Sequence, residues 1–118
     1  MDALNIFLVD NDQYNLNLYR QYLGSQGYDE VSIFNNSTEY TIYMDHRPNV
    51  VFLGNNLGQK LGLELLKSFK SVDPEIEVIL LPDASHTTNG DMDSYVLDYM
   101  TGVLSRIRVI NKSFGRNA

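Results

Sequence analysis

Residues Pro48 to Leu66 carry the clearest structural signal in the chain and read PNVVFLGNNLGQKLGLELL. The short apolar run from Val50 to Leu53 predicts a strand that is buried on both faces. A polar loop punctuated by glycines follows, and then a helix with apolar residues at helical spacing. In open α/β sheets, sites form at the carboxyl ends of strands. This strand leads into Gly54, so the meaning of a residue without a side chain is the main functional question.

Composition limits the class of protein. The 118 residues suffice for one domain, and we predict a single domain over residues 1–118. A formal net charge of −6 opposes binding to nucleic acid. No apolar run is long enough to span a bilayer and no secretory signal opens the chain, so we expect a cytoplasmic protein. The absence of cysteine excludes disulfides, thiolate metal sites and a cysteine nucleophile.

The first half of the chain alternates strand and helix signals. Leu4 to Val9 predicts a first buried strand, which leads into Asp10. Asp12 is placed to cap a helix that begins about Gln13, and Gly27 to end it in a left-handed turn. Val31 to Phe34 predicts a second strand. A modest helix should follow Asn36 and stop before Pro48.

Beyond the opening stretch the pattern continues and then weakens. Its helix should bury one face, made of Leu65, Leu66, Phe69 and Val72. Glu77 to Leu81 predicts a fourth strand. Residues Pro82 to Asp93 are polar, and we expect the helix there to be short, displaced or absent and the segment to be mobile.

The last quarter allows two interpretations. In the first, Tyr95 to Leu97 is a fifth strand, and a helix from about Met100 buries Val103, Leu104, Ile107 and Ile110. In the second, a helix carries Met92, Tyr95, Val96, Tyr99 and Met100, and Arg106 to Ile110 is the strand. We prefer the first interpretation, because it leaves every strand followed by a helix.

This alternation predicts an α/β fold, a doubly wound (βα)5 domain with helices on both faces of a five-stranded parallel sheet. The expected strand order is 2-1-3-4-5, as in flavodoxin-like folds.

The chain resembles the receiver domain of two-component response regulators from Leu4 to about Lys112. Residues Ile6 to Asp12 are similar to the first strand and its terminal acidic pair. Pro48 to Leu66 is similar to the third strand, its loop and the start of the third helix. Tyr95 to Asp98 resembles the fifth strand, and Leu104 to Arg108 is typical of the last helix.

The resemblance implies a known chemistry. In the family, an aspartate ending the third strand takes the phosphoryl group from the histidine of a partner kinase. Acids after the first strand hold Mg²⁺, which neutralises charge in the transfer. A serine or threonine ending the fourth strand and a lysine ending the fifth bind the phosphoryl oxygens. An aromatic residue on the fifth strand changes rotamer with the phosphorylated state.

Most of these positions are altered in this chain. Asp10 matches the first acid, but Asn11 stands at the second. Gly54 stands at the phospho-accepting aspartate and cannot act as a nucleophile. Pro82 stands at the hydroxyl position and has neither a hydroxyl nor a backbone N–H.

The remaining positions are mixed. Asn56 matches a position whose backbone carbonyl reaches the metal. Asp98 falls at the lysine and reverses its charge, although an alternative alignment places Lys112 there. Tyr95 retains the aromatic switch position.

These changes predict a degenerate pseudo-receiver, not an enzyme, that acts in a phosphorelay by protein–protein interaction without phosphorylation. Its partner would be a histidine kinase or a downstream signalling protein. We expect no cofactor and no residual Mg²⁺ binding, for which Asp10 is the candidate ligand, and we expect Asp10 and Asp98 to be solvated at strand ends. Two alternatives stay open: a phosphoacceptor that uses Asp10 or Asp12, and a flavodoxin-like small-ligand binder or enzyme. The partner's identity and the oligomeric state do not follow from the sequence.

Overall fold

The structure is a computed structural model that describes residues 4–35, 48–54, 57–82 and 92–114. In the last range, side chains are described for 95–107. The chain divides into two compact units, Met1–Pro82 and Asp83–Ala118. The single domain expected over residues 1–118 stays a prediction.

The first unit is built on a four-stranded parallel sheet. Its strand order is β2-β1-β3-β4, which confirms the predicted order for these four strands. In chain order the elements of this unit are β1 (Ile6–Val9), α1 (Gln13–Ser25), β2 (Val31–Phe34), β3 (Val50–Leu53), α2 (Gln59–Val72) and β4 (Glu77–Leu80). The register aligns Val9 with Phe34 and Leu53, and Leu53 with Leu80, so all four strands end at one edge.

The two central strands lie in the core. Every residue of β1 and β3 is buried, as their uninterrupted apolar runs predict. On one side of the sheet, Phe7 packs against Phe34 and Phe69 with ring centroids 4.9 and 6.4 Å away. The two aromatic contacts tie β1 to β2 and to α2, and each stabilises the fold beyond the area that it buries.

Helix α1 has well-defined signals at both ends. Asp12 caps it, because the Oδ1 atom accepts hydrogen bonds from the backbone N–H groups of Tyr14 at 3.0 Å and Asn15 at 3.5 Å. At the other end, Gly27 has φ of 95°, and Tyr28 N–H donates to the carbonyl of Leu23 at 2.9 Å. This is a Schellman motif, and both predicted helix boundaries are confirmed.

Helix α2 packs one face on the core. Leu65 and Phe69 are buried and Leu66 is partly buried, as predicted. Val72 is 50% exposed, so its assignment to this face is wrong. Val72 is the last helical residue, and the buried stripe ends one turn earlier at Phe69.

The described part of the second unit is one helix, α3 (Met92–Phe114). The fifth strand predicted at Tyr95 to Leu97 is therefore wrong, and so is the alternative strand from Arg106 to Ile110. The physical reason is a continuous apolar stripe at helical spacing, which outweighs short β-prone runs. Its buried members are Val96, Met100, Val103 and Leu104.

Two further predictions fall outside the described residues. They are the helix between Asn36 and Pro48, and most of the polar segment between Pro82 and Asp93. Within the described ranges, no helix has the length and apolar character that crossing a membrane requires.

Candidate functional site

The candidate site lies at the carboxyl edge of the sheet in the first unit. Because the strands are parallel and in register, Asp10, Gly54 and Leu81 follow β1, β3 and β4 at this edge. Gly54 N–H donates to the carbonyl of Val9 at 2.7 Å, and Leu81 N–H donates to the carbonyl of Leu53 at 2.9 Å. These ladder bonds hold the three strand ends side by side.

Asp10 is buried at this edge. Its exposure is 2%, and it is the one buried charged residue in the described ranges. Its Oδ1 atom accepts hydrogen bonds from the backbone N–H of Asn11 at 2.6 Å and of Asp12 at 3.3 Å. The expectation of a solvated Asp10 is therefore wrong. The carboxyl group is enclosed because it satisfies the backbone donors of the turn that leads into α1.

Gly54 leaves the space that Asp10 fills. A Cβ atom built on Gly54 would lie 2.8 Å from the Cβ of Asp10 and would also collide with its carboxyl carbon and Oδ2. Real Cβ atoms do not approach other atoms this closely. The φ angle of Gly54 is outside the left-handed region, so the backbone itself does not demand glycine. A larger residue at position 54 would have to displace the side chain of Asp10.

Two more of the altered positions border this edge. Asn11 is exposed, and its backbone joins the turn through the bond to Asp10. Pro82 follows Leu81 at the end of β4 and is partly buried. Neither side chain carries a charge or a hydroxyl group. The described edge therefore offers the carboxyl of Asp10 and, on the α1 side, that of Asp12, which is engaged as the helix cap.

The other predicted site residues are outside the described part of the first unit. Asn56 is outside the described residues. Tyr95 and Asp98 belong to α3 in the second unit, where both are exposed. They are therefore on a helix and not on the strand to which they were aligned, and their switch and lysine-position roles stay predictions. Lys112 also lies within α3.

The residues at this edge do not fit the magnesium centre that the resemblance implies. Mg²⁺ in proteins is held mainly by carboxylate oxygens and waters in octahedral geometry. Here the Asp10 carboxyl is enclosed, Asn11 supplies an amide, and Gly54 supplies no side chain. No group of three or more histidine, cysteine, aspartate or glutamate residues with metal-binding geometry occurs among the described residues.

Sequence reasoning missed the packing of Asp10 against Gly54. The two residues are 44 positions apart, and only the strand register brings them together. A usable signal was present nonetheless. In a parallel sheet with β1 beside β3, the residues after the two strands are neighbours, and an acid beside a glycine leaves the acid room to turn inward.

Comparisons with known proteins agree with the geometry. The sequence pattern of the response regulator receiver domain matches residues 6–111. The polar-differentiation response regulator DivK of Brucella anthropi is 22% identical over 87 residues, which cover 74% of this chain and 71% of that protein. The match spans almost the whole chain and both described units. This chain therefore belongs to the response regulator receiver domain family.

Proposed function

We propose that this receiver domain is a pseudo-receiver, which signals through protein–protein contacts without being phosphorylated. The observation that carries the proposal is the pair Asp10 and Gly54. Residue 54 has no acceptor group, and the carboxyl of Asp10 occupies the volume in which an acceptor side chain would begin. The loss of the acceptor is thus accompanied by closure of its site.

The surroundings support the same proposal. A phosphoryl group bound here would need cations and hydrogen-bond donors around its oxygens. Pro82 supplies neither, and Asn11 carries no charge to help hold a metal ion. The enclosed carboxyl of Asp10 would also repel a phosphoryl dianion at short range.

The biological setting follows from the family. Receiver domains are signalling modules that interact with proteins such as kinases and downstream effectors. We propose a histidine kinase or a downstream signalling protein as the partner, a place in a two-component or phosphorelay pathway, and the cytoplasm as the location. The net charge of −6 argues against nucleic acid as the partner.

The decisive experiment is incubation of the protein with a small-molecule phosphodonor and Mg²⁺, followed by intact mass measurement. We expect no gain of mass, while a receiver domain with an intact acceptor site, treated in parallel, should gain one phosphoryl group. A stable gain of one phosphoryl group by this chain would contradict the proposal.

One alternative acceptor is favoured by position. Asp10 lies next to the space of the missing acceptor, whereas Asp12 is engaged as the cap of α1. If the protein does gain a phosphoryl group, the variants Asp10→Asn and Asp12→Asn identify the acceptor. Loss of the added mass in Asp10→Asn alone would replace the pseudo-receiver proposal by phosphorylation at Asp10. The burial of that carboxyl argues against this outcome.

A further inference from the structure

The charges of the first unit are segregated. Its described residues include four basic side chains, and three of them lie on α2: Lys60, Lys67 and Lys70. Of its eight described acidic residues, seven lie outside α2, and Glu64 is the exception. In a chain with a net charge of −6, this helix is a local positive surface.

The exposed side of α2 has a defined pattern. Lys60, Leu63 and Lys67 are all exposed and lie on one side of the helix, because spacings of three and four residues return to the same face. The exposed Glu64 borders them on that side. Leu63 is 43% exposed between the two lysines. The two lysines are seven residues apart, which corresponds to about 10 Å along the helix axis. We call Lys60, Leu63 and Lys67 the α2 face.

The lysines of this face are available for binding. Within the described part of the chain, no ion pair engages Lys60 or Lys67. Lys70 differs, because its Nζ atom donates to the carbonyl of Pro74 at 3.1 Å and helps to end the helix. The amino end of α2 adds to the positive potential, since Gly58 caps it without a side chain and no acidic residue occupies the first turn.

We propose that the α2 face binds an acidic helical segment of another protein. The matching partner carries an apolar side chain flanked by two carboxylates about 10 Å apart, which an antiparallel helix provides at relative positions one, five and eight. This inference rests on the proposed function as an interaction module and names the surface and the chemistry of the partner.

The composition of the face favours a protein over a polyanion. A nucleic-acid backbone offers no apolar group to cover the exposed Leu63. An amphipathic acidic helix satisfies both lysines and covers the leucine at the same time. Oppositely charged surfaces also speed the encounter of two proteins, and salt weakens this effect.

The experiment is an NMR titration of the full ¹⁵N-labelled chain with a synthetic helical peptide that carries Glu, Leu and Glu at positions one, five and eight. We expect shifts at the amides of Lys60, Leu63 and Lys67, which weaken as salt is raised. Lys67→Glu should weaken binding about five-fold, whereas Arg20→Glu, a matched charge reversal on α1, should leave it unchanged. Leu63→Ala should weaken binding about three-fold, and Val72→Ala, at an exposed position at the end of the same helix, should not.

Several outcomes would overturn the inference. The first is that Lys67→Glu and Arg20→Glu bind the peptide equally well. The second is that a peptide with Gln in place of Glu binds as well as the original peptide. The third is that no amide of α2 shifts at about 1 mM peptide. Equal shifts with a single-stranded oligonucleotide would identify a polyanion site instead. Shifts on α2 that grow with protein concentration alone would identify a second copy as the occupant. None of these results alters the phosphorylation assay, so the two proposals fail separately.

Discussion

Gly54→Ala tests the packing at the strand end. The added methyl group must either press on Asp10 or push its carboxyl out of the site. Overpacking of a well-packed core costs about 1–3 kcal/mol. Expulsion would lose two hydrogen bonds to backbone N–H groups, about 3 kcal/mol in all. Alanine also restricts the unfolded chain, which stabilises the folded protein by about 0.4–1 kcal/mol. We therefore expect the free energy of unfolding to fall by about 2 kcal/mol.

Urea and thermal unfolding measure this loss. The midpoint of thermal unfolding should fall by about 8 °C, at roughly 4 °C per kcal/mol for a chain of this size. Gly24→Ala is the matched control, because Gly24 lies in α1 with nothing within 4 Å of a built Cβ and an ordinary φ. Gly24→Ala should raise the free energy of unfolding by about 0.5–1 kcal/mol.

A double-mutant cycle measures the interaction between Asp10 and Gly54 directly. In the Asp10→Ala background the obstructing carboxyl is gone, so Gly54→Ala should cost at least about 1 kcal/mol less than in the natural sequence. If Gly54→Ala proves as stabilising as Gly24→Ala, or if Gly54→Ala and Asp10→Ala are additive, the Asp10 side chain does not fill the space beside Gly54.

Substitutions at four positions of the first unit test the α1 cap, the turn after α1, the core and the candidate site. Asp12→Ala should lower stability by about 1 kcal/mol through loss of the α1 cap, while Asp12→Asn should change it by a few tenths; urea unfolding with an unchanged m-value measures both. Gly27→Ala places a Cβ on a residue with φ of 95° and should cost about 1–2 kcal/mol. Phe69→Ala removes a fully buried ring and should cost about 3–5 kcal/mol; a loss below 1 kcal/mol would contradict the core assignment. Gly54→Asp restores a carboxyl but leaves Asn11 and Pro82 in place, so intact mass after phosphodonor treatment should show no phosphoryl gain.

The strands β1 to β4 and the helix α1 were predictable because their signals are local. Runs such as Val50 to Leu53 are apolar throughout, and a buried parallel strand requires that. Asp12 and Gly27 supply hydrogen bonds or backbone angles that a helix end needs, whatever the rest of the chain does.

The last quarter was predicted less well because its local and periodic signals compete. Tyr95 and Val96 are β-forming residues, and such a pair followed by Leu97 favours a strand when taken alone. The longer stripe that includes Val96, Met100 and Val103 has helical spacing and is buried along one helix. Knowledge of which residues are buried decides between the two patterns, and the sequence alone does not supply it.

The geometry of the candidate site was not predictable from the sequence. The sequence shows only that Gly54 and Pro82 carry neither a carboxyl nor a hydroxyl group. The inward position of Asp10 depends on the register of β1 and β3 and on the backbone N–H groups of Asn11 and Asp12, which donate to its carboxyl. It also depends on the absence of a Cβ atom at Gly54 on the neighbouring strand.

The packing of Asp10 on Gly54 also affects how this position tolerates sequence drift. Every single replacement of glycine adds at least a Cβ, and each would meet the same enclosed carboxyl. Residue 54 should therefore stay glycine among near relatives that keep Asp10 turned inward, for a reason of packing alone. Replacement of Gly54 by a phosphorylatable aspartate would have to pass through a less stable protein or be accompanied by movement of Asp10. A residue that is kept invariant at position 54 would then reflect steric fit and not catalysis.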